Sequence, residues 1–221
     1  MALPRTLWRD GRATAVGAAA GVAAFLAGAA ATFVLQRDEL DGSSAVVEEI
    51  AALLGPGLAD ALGSVADWLE PDVVEAVGWF FYASHYVDLE FTASAFGQTL
   101  HRTVALQQTP VWDAELAVVP PLALFATGFL LAAADRLRVG RPLEVGVRVA
   151  LGYAGVALAA VPVATYTRDV GFASVTFGPD AAAAGAFCAA YAVVFAAAGA
   201  LVHDEYWPES ASDQVESAGE N

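Results

Sequence analysis

Four stretches of the chain stay apolar for roughly the 20 residues a helix needs to cross about 30 Å of hydrocarbon. Ala13 to Leu35 is uncharged throughout. Leu116 to Ala134 is also uncharged and carries Pro120 and Pro121 one turn in. Val145 to Tyr166 has Arg148 near its start and Pro162 near its end, and Ala181 to Val202 is uncharged and holds Cys188. Prolines inside a span free backbone carbonyls, so kinks are expected at Pro120, Pro121 and Pro162. Alanine dominates all four stretches, so Phe, Leu and Val must carry the partitioning. The first and fourth spans then depend on their neighbours. The expected fold class is an all-α membrane protein: a four-transmembrane-helix bundle with an acidic extracytoplasmic segment.

That segment, residues 36–115, carries fourteen acidic residues against Arg37 and Arg102. Val46, Val47, Ile50, Leu53 and Leu54 recur at helical spacing before the Gly55-Pro56-Gly57 breaker. Leu58, Leu62, Val65 and Leu69 mark a second helix, and Pro71 suits the first turn of a third. The third, about residues 72–86, places Glu75, Trp79, Tyr82 and Tyr86 on one stripe. Trp and Tyr favour the headgroup region, so Trp79, Tyr82, His85 and Tyr86 are candidates for a membrane-interface contact. The run is too short to span and contains Glu75 and His85; it reads as surface-lying or re-entrant. Beyond it, Val87, Leu89 and Phe91 alternate with Asp88, Glu90 and Thr92, and a similar alternation runs from Thr99 to Leu106. Two strands joined around Gly97 would make a short β-hairpin. The link from Thr167 to Asp180 reads as short and Gly/Pro-punctuated, and residues 203–221 read as an acidic, mobile tail.

Charge then orients the bundle. Arg5, Arg9 and Arg12 precede the first span; Arg136, Arg138 and Arg141 fill the link between the second and third, with Arg148 just beyond. By the positive-inside bias both termini are cytoplasmic and the protein is a multi-pass component of the cytoplasmic membrane. A cleaved signal peptide is the competing reading of the N-terminus, but its apolar core of residues 13–35 is longer than the usual 7–15. The net charge is −15 and every basic residue is arginine. That balance excludes a nucleic-acid binder and is what adaptation to high salt looks like, because carboxylates repel little at a Debye length of about 3 Å. The lone Cys188 excludes an internal disulfide.

The sequence Gly78-Trp79-Phe80-Phe81-Tyr82-Ala83-Ser84-His85-Tyr86-Val87-Asp88 resembles a Gly-Trp-x-Phe-Tyr-x-x-His-x-Val-Asp segment of an uncharacterised haloarchaeal family of multi-spanning membrane proteins. The resemblance implies the same layout of spans and supplies no activity. For chemistry, His85, Asp88, Glu90 and His101 are weak metal-ligand candidates, without any known ligand spacing. Ser84 and His85 are sequence neighbours that do not face each other on a helix. No P-loop, dinucleotide glycine pattern or zinc-protease signature is present, so no catalytic residue and no cofactor is expected. Gly17 and Gly21 form a small-xxx-small face read as tight packing. The expected partners are the bilayer and other membrane or envelope proteins. The functional reading is a non-catalytic protein with an outward-facing interaction module; a transporter or channel subunit for a small solute or ion is the alternative.

Overall fold

The computed structural model describes residues 11–40, 71–95, 97–134, 140–169, 171 and 173–206. The two helices expected between Ser43 and Leu69 lie outside these residues. In chain order the elements are α1 (Gly11–Leu40), α2 (Val73–Ala83), β1 (Leu89–Ala95), β2 (Gln98–Val104), α3 (Val119–Ala133), α4 (Pro142–Ala160), β3 (Tyr166–Asp169), β4 (Ala173–Pro179) and α5 (Ala181–Tyr206). Among the described residues, four helical stretches are long and apolar enough to cross a membrane: Gly11–Arg37, Ala114–Ala133, Pro142–Ala164 and Ala181–Tyr206.

The four long helices pack in a ring, α1 against α4, α4 against α5, α5 against α3 and α3 against α1. Small residues make this closeness sterically accessible. A Cβ at Gly152 of α4 would run into the Ala18 carbonyl of α1, and one at Gly21 into the Val149 carbonyl of α4. Gly128 of α3 and Gly199 of α5 meet each other's helices in the same reciprocal way. The Gly17–Gly21 face is therefore used within the chain. Inward positions of α5 are Ala184, Cys188, Ala192, Ala196 and Ala200, whereas its Phe187, Val194 and Leu201 point outward. On this helix the small residues face inward and allow close helix approach, as is common between membrane helices, while the bundle core also holds Phe25, Leu124 and Tyr153.

The prolines sit where 3-10 turns meet the α-helices. Pro120 and Pro121 occupy the first turn of α3, after a 3-10 turn at Ala114–Val118. A first-turn N–H has no partner within the helix, so proline is tolerated there. Pro162 lies in the 3-10 turn Val161–Ala164 that closes α4. The third span consequently stops short of Tyr166, which belongs to β3. At the other end of the chain α5 continues through His203 to Tyr206, so this part of the expected tail is helical.

The hairpin forms around Gly97, whose φ of 77° suits glycine, but it is half of a larger sheet. The link between α4 and α5 contributes β3 and β4, and the order is β2-β1-β4-β3, antiparallel throughout. Phe91 pairs with Phe177 and Arg102 in register, and Tyr166 pairs with Phe177. The sequence reading missed β3 and β4 because Gly171 and Gly178 interrupt the apolar/polar alternation. The shared sheet has a topological consequence: the α1–α3 and α4–α5 links lie at the same end of the bundle.

Candidate functional site

The most distinctive sequence of the chain folds into a short helix wedged between bundle and sheet. Asp72 caps α2: its Oδ1 accepts from the Glu75 N–H at 2.8 Å, and Glu75 Oε2 accepts from the Asp72 N–H at 2.9 Å. This reciprocal pair satisfies two otherwise orphaned donors, and it sets the start after Pro71 rather than at it. Burial raises the Glu75 carboxyl above its usual range, opposed by the Asp72 backbone N–H. At the far end the Tyr86 N–H donates to the Ala83 carbonyl at 2.9 Å and the Val87 N–H to that of Tyr82 at 3.2 Å. Crossed bonds of this kind need a left-handed residue at the turn. Here it is Tyr86, at φ 59°, a conformation that costs an aromatic residue about 1–3 kcal/mol.

α2 is buried on two faces. Ala76, Trp79, Phe80 and Ala83 join a core with Leu89, Phe91 and Phe177 of the sheet, and the Trp79 and Phe177 rings meet edge-to-face at 4.6 Å. Phe81 and Tyr82 belong instead to the bundle core with Phe25 and Tyr153. Phe81 fits against Gly28 of α1 and lies edge-on to Phe25 at 4.8 Å. Three polar side chains then fasten this wedge to α4. Trp79 Nε1–H donates to the Ala164 carbonyl at 2.9 Å, the Tyr82 hydroxyl donates to the Ala157 carbonyl, and His85 Nε2 lies 2.7 Å from the Tyr153 hydroxyl.

The Tyr82 bond answers a need at the close of α4. The last carbonyls of a helix lack helical partners, and the Val161 N–H has turned to Leu158 in a 3-10 bond, leaving Ala157 to Tyr82. Thr165 Oγ1 similarly donates to Val161 at 2.7 Å.

His85 is fully buried. Its Nδ1 sits 2.8 Å from the Phe81 carbonyl, which can only accept, so Nδ1 carries the proton and Nε2 accepts from Tyr153. Ser84 Oγ also donates to the Phe81 carbonyl, and it lies 3.4 Å from His85 Nδ1. Those neighbours converge because the helix is ending. Burial pushes the His85 imidazole down to about 4, partly opposed by the Phe81 carbonyl, and burial pushes the Tyr82 phenol up. Both ring nitrogens of His85 are used internally, and the imidazole is held neutral.

This geometry corrects the interface assignment of three side chains. Trp79 and Tyr82 are 2% and 1% exposed, with their polar atoms on protein carbonyls, and His85 is enclosed; all three are spent on contacts within the protein. Tyr86, at 53%, is exposed. The metal candidates do not converge either. His85 faces the bundle, whereas His101 and Glu90 are exposed on the sheet, 3.7 Å apart, with the other His101 nitrogen 3.1 Å from Thr92 Oγ1. Asp88 accepts from Gln107 at 3.2 Å. Among the described residues no group of three His, Cys, Asp or Glu side chains is placed to hold a metal ion. Sequence reasoning missed Tyr153, a lone hydroxyl-bearing aromatic in mid-span, which was the available signal for a buried partner.

Residues 4–205 match a family of unknown function, DUF7978. The chain belongs to that family. No curated protein and no solved structure matches this DUF7978 chain. The segment from Gly78 to Asp88 carries side chains into both the bundle core and the sheet core.

Proposed function

We propose that the protein is a four-pass component of an archaeal cytoplasmic membrane, non-catalytic, whose outer layer is an interaction module facing the cell envelope. Both termini and the Arg-rich link are cytoplasmic in this reading. The observation that carries it is the set of four long apolar helices packed through close glycine and alanine contacts, with Leu26, Leu130, Leu151, Val194 and Leu201 exposed around them. The sheet supports the module. Its inner face rests on α2, while Glu90, Thr92, Ser94, Thr99 and His101 stand on the opposite side, with hydroxyl pairs such as Ser94 and Thr99 3.1 Å apart.

We also infer that the Gly-Trp-x-Phe-Tyr-x-x-His-x-Val-Asp phrase is a signature of the haloarchaeal members of this family. Each named position has a task here: Gly78 lies against Ala164, Trp79, Tyr82 and His85 bond to α4, Phe81 and Val87 are buried, and Asp88 accepts from Gln107. The acidic excess and absence of lysine support a high-salt setting.

The test is crosslinking in native membranes at high salt through probes at Thr92 and Thr99, followed by mass spectrometry. A fixed protein partner captured from both positions supports the module. Solute flux in reconstituted vesicles, with no captured partner, overturns it in favour of transport.

A further inference from the structure

The buried ridge of α1 changes character along its length. It runs Ala13, Gly17, Gly21, Ala24, Phe25 and Gly28, then ends in Thr32 and Gln36, both wholly buried. A helix of 30 residues is about 45 Å long, so this polar end stands near or above the limit of the hydrocarbon, at the end of the bundle that carries α2. Thr32 Oγ1 and Gln36 Oε1 have no hydrogen-bond partner among the described residues. A buried polar atom without a partner is destabilising unless water or an ion meets it. The two residues are one helical turn apart on the same face, with side chains about 5–6 Å apart at their roots. The Gln36 amide nitrogen, for its part, donates to Asp113 Oδ2 at 3.1 Å, which leaves the amide oxygen unpaired and sets a carboxylate beside the same side chain.

We propose that Thr32, Gln36 and Asp113 form a site for an alkali metal cation, sodium or potassium. The donor set is oxygen only: a hydroxyl, an amide carbonyl and a carboxylate, the chemistry of a hard cation. It carries one negative charge, which one monovalent ion balances. The bound ion ties the outer end of α1 to the segment that leads into α3.

The experiment is thermal unfolding of the full-length protein in detergent, at one ionic strength, in sodium, potassium or choline chloride. Wild type is expected to melt several degrees higher in the alkali salt it binds than in choline. Thr32→Val and Gln36→Leu are expected to lose that increment; Thr32→Val, which removes only an orphaned hydroxyl, is expected to melt in choline at or above the wild-type temperature, and Gln36→Leu, which also removes the donor to Asp113, somewhat below it. The choline arm thus shows that the variants fold, and the difference between variant and wild type cancels general salt effects. A wild-type melting temperature equal in all three salts, as a buried water alone would give, overturns the site. So does an alkali-specific increment that survives in Thr32→Val.

Discussion

His85 offers a quantitative test of how α2 is held. In the folded protein its imidazole titrates at about 4, against 6.5 for an unburied histidine. The folded value is depressed, so the neutral form is the one the fold favours. The resulting stability is complete above pH 6.5, and it falls as pH drops toward 4, where the unfolded chain takes up a proton that the native state refuses. Each tenfold difference in proton affinity between the two states is worth about 1.4 kcal/mol. At pH 5 the loss is therefore about 2 kcal/mol, and it approaches about 3 kcal/mol near pH 4. The perturbation is His85→Gln, whose amide oxygen still accepts from Tyr153 but does not titrate. Chemical denaturation of both proteins in detergent, at steps from pH 7.5 to 5, gives the assay. All other groups are common to both chains, so the difference isolates residue 85. Wild type is expected to lose about 2 kcal/mol more than the variant across this range. Equal slopes would refute the argument, since they would mean that the imidazole can be protonated in place.

Two other substitutions test the packing. Gly152→Leu places a side chain against the Ala18 backbone and is expected to cost more than the about 1–3 kcal/mol typical of overpacking, whereas Gly155→Leu, with open space beside it, is expected to be within about 0.5 kcal/mol of wild type; melting temperatures in detergent check both. Tyr82→Phe orphans the Ala157 carbonyl and is expected to cost about 1–3 kcal/mol, with faster protease cleavage between α2 and β1 as the second readout.

The four long helices were legible because about 20 apolar residues in a row have few alternatives. The start of α2 was nearly so: Pro71 signalled it, and the Asp72–Glu75 cap placed it two residues later. What the sequence concealed came from contacts between distant segments. Trp79 and Tyr82 have the composition of an interface belt, and their burial depends on carbonyls some eighty residues on, at Ala164 and Ala157, for their polar atoms to meet. β3 and β4 were hidden by glycines that are tolerated because β1, from another link, supplies the pairing. Thr32 and Gln36 look like ordinary polar ends of a span until the ridge they extend is seen to face inward.

Central to the account is the claim that both links carrying the sheet stand on one side of a membrane and the α3–α4 link on the other. With Cys188→Ala as background, single cysteines at Thr99, Thr167 and Arg141, all exposed positions, can be challenged in intact cells with a membrane-impermeant maleimide. The account predicts labelling at 99 and 167 together, with 141 labelled only after permeabilisation. Labelling of 99 and 141 from the same side, or of 99 without 167, would contradict it.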